Sequence, residues 1–298
     1  MSALRGELPQ PAGRRSGDFL VLAAAMLWGT TGTAQALAPA GAEPAAVGAL
    51  RLLIGGTSLL AFAALRKKIP AFSELPLRRS LLAAVFIAAY QLCFFAGVAR
   101  TGVAVGTMAG IGSAPIFGGL LGAGLRKERL DRTWVAATAL AIAGCVLMVG
   151  GQAAARLRVD LLGAGLAVAA GLAYASFTLV SKGMLESQPP EAVTGVVFSL
   201  GAVFLLPVLL AGPDLSWLAQ PNGLLVVLHL GLLATMLSYL LFTRGLQRIK
   251  VSTATTLSLA EPLTAAALGV LVLGEQLALV TVAGMVLLVG GLVILTRK

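Results

Sequence analysis

The sequence predicts an all-α membrane protein of ten transmembrane helices, arranged as two inverted five-helix repeats. Three observations carry this expectation. First, the 298 residues are 58% apolar and only 11% charged, with a mean hydropathy of +0.94. A soluble domain carries about a quarter charged residues, so too few remain here to cover a water-exposed surface. Second, ten apolar stretches each reach the ~20 residues that a helix needs to cross a ~30 Å hydrocarbon core. Third, segments of the first half recur in the second, which makes self-similarity the organising feature of the chain.

In order, the stretches lie at 19–38, 44–65, 79–99, 103–125, 131–151, 160–182, 190–211, 221–244, 251–272 and 277–295. The first follows Arg14 and Arg15, and its Ala34, Gln35, Ala36 sequence resembles a signal-peptide cleavage site. Its length and Trp28, which recurs in the repeat, mark it instead as a retained helix. The second holds Arg51 seven residues in. The third carries Tyr90, Gln91 and Phe94, and the fourth Met108 and Pro115. Tyr174 lies in the sixth, His229 and Tyr239 in the eighth, and Ser258, Glu261 and Pro262 in the ninth. Connectors are short and leave no room for a soluble domain.

Basic residues in short loops set orientation. Alternate connectors counted from the N-terminus hold eighteen Lys and Arg, from Arg5, Arg14 and Arg15 through Lys182 to Arg297 and Lys298. The other set holds Arg100, Arg156 and Arg158 alone. This bias puts both termini in the cytoplasm of a multi-pass inner (plasma) membrane protein, which requires an even number of helices. It also explains the net charge of +10 without nucleic acid, for which no basic domain exists.

The repeat is read at an offset of 147 residues, which carries Pro115 to Pro262, Gly122 to Gly269, Glu128 to Glu275, Leu130 to Leu277 and Gly144 to Gly291. Near-equal offsets relate Trp28 and Gly29 to Tyr174 and Ala175, and Tyr90 with Gly97 to Tyr239 with Gly245. The halves are 1–151 and 152–298, with five helices each. Because five is odd, the second enters the membrane from the opposite side. Inverted-topology repeats are the usual frame for alternating access around a site near the midplane.

These residues resemble a known family. Trp28 and Gly29, Arg51 and Leu52, and the paired Pro115…Glu128 and Glu261, Pro262…Gly274, Glu275 look like EamA-type members of the drug/metabolite transporter superfamily. Ala114 departs from the pattern, standing where the second half has Glu261. The resemblance implies a ten-helix basket with a cavity lined by helices 1, 3, 4, 6, 8 and 9. Within the family the chain is most similar to bacterial exporters of aromatic and other neutral amino acids.

The candidate site follows from residue chemistry. Pro115 and Pro262 sit near mid-helix, where proline removes an amide donor and kinks the chain. The Ile111 and Ser258 carbonyls lose their partners, which is tolerated at this depth only against protein or a wet cavity. These prolines are candidate hinges. Glu261 lies too deep to reach the interface, where a carboxylate costs about 2.5–3.5 kcal/mol on insertion scales. It is a candidate proton carrier or amine contact, or a structural hydrogen-bond group. Arg51 is within reach of the outer interface or of a carboxylate such as Glu43 or Glu261, and reads as a structural ion pair or hydrogen-bond anchor ahead of a substrate contact. Trp28, Tyr90, Phe94, Tyr174 and Tyr239 offer flat apolar faces with polar edges, which suits an aromatic or amphiphilic solute. Gln35, Gln91, Met108, His229 and Ser258 are further candidate substrate contacts, although a lone intramembrane histidine such as His229 more often makes an interhelical hydrogen bond. Trp134 and Trp217 read as interfacial belt residues. Glu128 and Glu275 are expected to complement the N-termini of helices five and ten.

Two isolated cysteines and a lone histidine give no metal-ligand pattern, so no metal, cofactor or catalytic residue is expected. A Walker-type loop is lacking, and no protease motif surrounds His229. The sequence therefore predicts a secondary transporter, not an enzyme, carrying a small neutral or zwitterionic metabolite, an amino acid above all. Its partners are that solute and the lipid bilayer, with no nucleic acid, and a monomer suffices. A cationic-drug/proton antiporter is the rival, weakened because helix one carries no acid between Phe19 and Ala38. A non-transporting scaffold is disfavoured by the scarcity of extramembrane chain.

Overall fold

The computed structural model describes residues 11–71, 74–153 and 160–297. Arg5, Arg156, Arg158 and Lys298 of the charge count lie outside the described residues. Ten helices are long and apolar enough to cross a membrane. They are α1 (Pro11–Ala36), α2 (Pro44–Leu65), α3 (Leu77–Gly102), α4 (Val105–Arg126), α5 (Arg132–Ala153), α6 (Leu161–Met184), α7 (Pro190–Leu210), α8 (Pro221–Leu246), α9 (Val251–Leu273) and α10 (Leu279–Thr296). The earlier start of α1 adds two polar turns, Gly13 to Asp18, which hydropathy alone does not count.

Proline opens α1, α2, α7 and α8, where its missing N–H costs nothing and its fixed φ suits the first turn. Gly102, at φ 81°, breaks the chain between α3 and α4. α4 and α9 both end on a left-handed residue, Lys127 at φ 55° and Gly274 at φ 69°. α6 starts at Asp160, whose carboxylate accepts from the Leu162 and Gly163 amides and pairs with Arg100. The Gly163 amide, joined by Arg100 and Leu162, holds the Asp160 pKa below the usual carboxylate range against the opposing effect of desolvation. A depressed folded pKa stabilises fully above the unfolded value and is lost as pH falls through the folded one. Asp160→Ala should therefore lower the melting temperature at pH 7. The gap to the parent should close progressively below about pH 4, as thermal scans at a series of pH values will show.

Counterpart helices run antiparallel. In α5, a Cβ on Gly144 would meet Gly284 and Leu288 of α10, while one on Gly291 would meet Ala137 and Ala141 of α5. Each contact maps onto the other at the 147-residue offset, as a twofold operator requires. The same reciprocity relates Gly97 against Gly163 and Ala167 (α3 on α6) to Gly245 against Gly17 and Val21 (α8 on α1). In α2 and α7, Gly56 meets Phe198 and Ser199, and Gly195 meets Leu59 and Leu60, again antiparallel. Small residues let membrane helices approach this closely. The fold is thus a two-layer array of inverted five-helix units around a central hollow.

The face where α1 begins and α10 ends, the terminus face, is sealed. The Lys182 ammonium donates to the Leu246 and Gln247 carbonyls at 2.6 and 3.0 Å, a cation at the negative end of α8. Arg244 pairs with Glu191, and Arg126 with Glu186. One of the two belt assignments does not hold. Trp217 is 1% exposed, because Gly223 gives it a seat against the backbone. Trp134 lies over Gly119 and donates its indole N–H to the Ser252 carbonyl.

A tract within α8, His229–Leu237, is wound as a π-helix. The Thr235 hydroxyl donates five residues back to Leu230. Such bulges recur at functional sites, and this one turns Thr235 toward α2.

Candidate functional site

The break at Pro262 organises the centre of the molecule. Just before it, Ser258–Ala260 tighten into a 3-10 turn and the helix restarts at Glu261. Gly29 of α1 seats against this break, since a side chain there would strike the Glu261 carbonyl and Thr264. That contact gives the Trp28 and Gly29 pair its physical meaning: the glycine docks α1 on the broken rod, and the tryptophan beside it enters the hollow. The two prolines differ in effect. α4 runs through Pro115 as regular helix, its non-helical backbone torsion falling at Gly102.

A central cavity of about 70 Å³ lies between α1, α2, α3, α4, α6, α8 and α9. Trp28, Gln35, Arg51, Tyr90, Gln91, Phe94, Tyr174, Tyr239, Ser258 and Glu261 all line it. Met108 and His229 do not. Met108 points elsewhere on α4, and His229 bonds Thr30 of α1 through Nε2 at 2.8 Å. Because the Thr30 hydroxyl donates to the Leu27 carbonyl, His229 is the donor in that pair, a cross-helix tie. Thr31, Phe95, Gly110, Ile111 and Ala114 also line the cavity but were not singled out as contacts. Two signals mark them: helical spacing (Trp28, Thr31, Gln35; Gln91, Phe95) and the repeat, which carries Ile111 to Ser258 and Ala114 to Glu261.

The floor, toward the terminus face, is aromatic. The Trp28 ring lies 4.9 Å from Tyr239, 5.4 Å from Phe242 and edge-on to Tyr174 at 6.1 Å. Tyr90 stacks on Phe94 at 5.9 Å and leans on Tyr174. The Tyr174 hydroxyl contacts Ser258 at 2.8 Å, and Ser258 in turn donates to the Ala254 carbonyl. This chain fixes Tyr174 as the donor and uses the backbone turn before the proline.

Above the floor sit two opposite charges that do not meet. The Arg51 Nε donates to the Thr235 hydroxyl at 3.2 Å. Among the described residues Arg51 forms no ion pair with Glu43 or Glu261; of the two structural roles expected, the structure shows the hydrogen-bond anchor, with Thr235 of the π-turn as its partner. The Glu261 carboxylate has no hydrogen-bond or ion-pair partner among the described residues. Two further donors on the same wall, the Trp28 indole N–H and the Gln35 amide, are buried without a partner. Buried polar groups are ordinarily satisfied, which sets these two apart among the groups of the cavity wall.

Two larger hollows adjoin the cavity toward the opposite face. One, about 600 Å³, shares Ile111 and Glu261 with it and is walled by Gly32, Thr107, Met148, Gly269, Glu275 and Thr281. The second, about 400 Å³, shares Gln91 and Phe95 and reaches Glu43 and Pro44. Space thus adjoins the centre away from the termini, while the contacts of Lys182, Arg244 and Arg126 close the terminus face.

The expected electrostatic roles of Glu128 and Glu275 also need correcting. Glu128 accepts from the Val251 and Ser252 amides and the Ser252 hydroxyl at 2.8, 3.1 and 2.7 Å. It thus caps α9, across the repeat interface, rather than α5. Glu275 is exposed and caps no helix.

Comparison with known proteins agrees with this architecture. The EamA-like transporter family model matches the chain twice, over residues 15–150 and 161–297. The chain is 46% identical over 280 residues to a Bacillus subtilis (strain 168) protein described as uncharacterized transporter YwfM, covering 94% of this chain and 93% of that one. It is 31% identical over 121 residues to an uncharacterized transporter of Archaeoglobus fulgidus, covering 40% of this chain. A crystal structure at 22% identity superposes with a TM-score of 0.82, covering 94% of this chain and 96% of that one; at that identity it speaks for the fold. Two matches spanning nearly all of a ten-helix chain settle the matter: this protein belongs to the EamA-like transporter family, within the drug/metabolite transporter superfamily, and is a multi-pass membrane transporter.

Proposed function

We propose that the protein is a secondary transporter of zwitterionic amino acids, aromatic and other neutral ones foremost, across the inner membrane. The observation that carries this is the pairing of Arg51 and Glu261 in one cavity, unbonded to each other, above an aromatic floor. A zwitterion completes both charges at once. Its carboxylate meets Arg51, with Gln35 and the Trp28 N–H in support, its ammonium meets Glu261, and its side chain lies on Trp28, Tyr90 and Phe94. The halves 1–151 and 152–298 are the units that rock to alternate access, with Pro115 and Pro262 near the pivot. Both termini are cytoplasmic, and transport runs outward, the direction carried by the resemblance to amino-acid exporters.

The cationic-drug/proton antiporter reading draws on one observation, the unpartnered Glu261 carboxylate. Counterflow in proteoliposomes separates the two. Arg51→Gln and Glu261→Gln should each weaken amino-acid exchange about tenfold or more, the scale of a lost charged hydrogen bond. Amine uptake that survives Arg51→Gln, with proton-gradient dependence abolished by Glu261→Gln, would favour the antiporter. Amino-acid exchange unchanged in both variants would reject the zwitterion site.

A further inference from the structure

The two halves repeat one device, yet the structure holds it in two different states. After α4, left-handed Lys127 turns the chain so that the Glu128 amide donates back to the Gly122 carbonyl at 3.0 Å. After α9, left-handed Gly274 does the same, and the Glu275 amide donates to Gly269 at 3.0 Å. In both turns the carboxylate folds over a glycine of its own helix, where any Cβ would strike it. Gly122 and Gly269 are thus kept bare for Glu128 and Glu275.

The equality ends at the target. Glu128 reaches across the repeat interface and takes three donors at the start of α9. Lys250 donates to the Arg129 carbonyl and Trp134 to the Ser252 carbonyl, closing the same seam. By the 147-residue offset, the matching target of Glu275 is the start of α4, residues 104 and 105. There the seam is open: Glu275 and Thr107, of the first turn of α4, stand on the wall of the same 600 Å³ hollow. The Glu275 carboxylate holds no hydrogen bond among the described residues. Equivalent positions record the asymmetry directly, since Thr107 lines the hollow while its counterpart Ala254 is 0% exposed.

We propose that Glu128 and Glu275 are exchanging latches of the transport cycle. Glu128 caps α9 and locks the terminus face shut in the state described above. In the reverse state it lets go, and Glu275 caps α4 and shuts the opposite face. Each carboxylate satisfies helix N–H groups and meets the positive end of the helix dipole. Each closed face therefore has its own hydrogen-bonded lock, and neither lock involves a group that lines the central cavity. The proposal rests on the alternating-access reading.

The test uses the full chain with Cys93→Ala and Cys145→Ala, carrying reporter cysteines Thr107→Cys and Ala254→Cys. Labelling rates with a small polar maleimide are followed by mass spectrometry. Glu128→Ala should raise labelling at position 254 about tenfold, equivalent to about 1.4 kcal/mol of population shift. Glu275→Ala should lower it by a similar factor, and the double variant should return close to the parent. Because the Glu275 carboxylate is unbonded and exposed in the structure, Glu275→Ala breaks no hydrogen bond of this state, so the proposal stays testable even if Glu128→Ala fails to fold. Unchanged labelling at 254 in either single variant, or a double variant that labels like Glu128→Ala, overturns the latch. The underlying reading is checked separately in the two-cysteine protein. A bulky maleimide placed first at position 107 should hold the opposite face open and block labelling at 254. If 254 still labels at its original rate, alternating access itself fails. If it is blocked while Glu128→Ala changes nothing, only the latch falls.

Discussion

Trp28→Ala is expected to remove about 3–5 kcal/mol of stability, the range for emptying a buried large aromatic position, and to abolish preference for aromatic solutes. The ring is 6% exposed and touches Tyr174, Tyr239 and Phe242 at once. Aromatic pairs add about 0.5–1.5 kcal/mol each beyond area, and three are lost together. The void would open beneath the cavity, where Tyr239 packs on Phe198 with centroids 4.3 Å apart. Its effect therefore spreads into α7 and α8. Trp28→Phe separates the two roles of the side chain. It retains most of the packing but drops the indole N–H, the buried donor without a partner. Melting temperature should recover most of the way, while exchange of amino acids stays below the parent. Melting curves and counterflow on the same preparations measure both. Full recovery of transport in Trp28→Phe would show that the N–H meets no solute. Equal loss of aromatic and small substrates in Trp28→Ala would count against stacking.

Much of this architecture was legible in the chain because it depends on length and on duplication. Lipid imposes about 20 apolar residues per crossing, so ten stretches surfaced, and the offset from Pro115 to Pro262 exposed the repeat. The cavity-lining aromatics were legible for a related reason: Trp28 and Tyr174, or Tyr90 and Tyr239, stand at matching positions deep in their helices, and matching positions near a twofold axis line the same hollow. What the sequence hid was set by partners distant in the chain. Nothing near Arg51 announces that a π-turn in α8 will present Thr235, 184 residues away, so a carboxylate seemed the natural mate. Glu128 lies close to helix five in sequence, yet its carboxylate spans 123 and 124 positions to α9. His229, alone on an apolar helix, read as an interhelical hydrogen-bond group, but nothing near it named Thr30, 199 positions away, as the partner. Trp217 had the composition of an interface residue, and only the seat offered by Gly223 buried it.

The repeat also makes a prediction that separates symmetry from coincidence. Gly144→Val and Gly291→Val should destabilise the protein by similar amounts, about 1–3 kcal/mol each, the usual range for overpacking. At Gly144 the added Cβ would strike the Leu288 amide nitrogen and approach the Gly284 carbonyl to 2.6 Å. At Gly291 it would approach the Ala137 carbonyl and Ala141 nitrogen, to 2.6 and 2.8 Å. Backbone cannot swing aside as a side chain can, so α5 and α10 must part along their length. With no apolar drive between helices in lipid, close packing is what holds such a pair. Gly290, the chain neighbour of Gly291, supplies the control, since its Cβ would meet only the Leu140 side chain at 3.6 Å. Gly290→Val should therefore melt close to the parent in detergent, while the other two fall together. Unequal losses at 144 and 291, or a Gly290→Val as unstable as Gly291→Val, would mean that the α5–α10 contact is not the self-complementary seam on which the two halves turn.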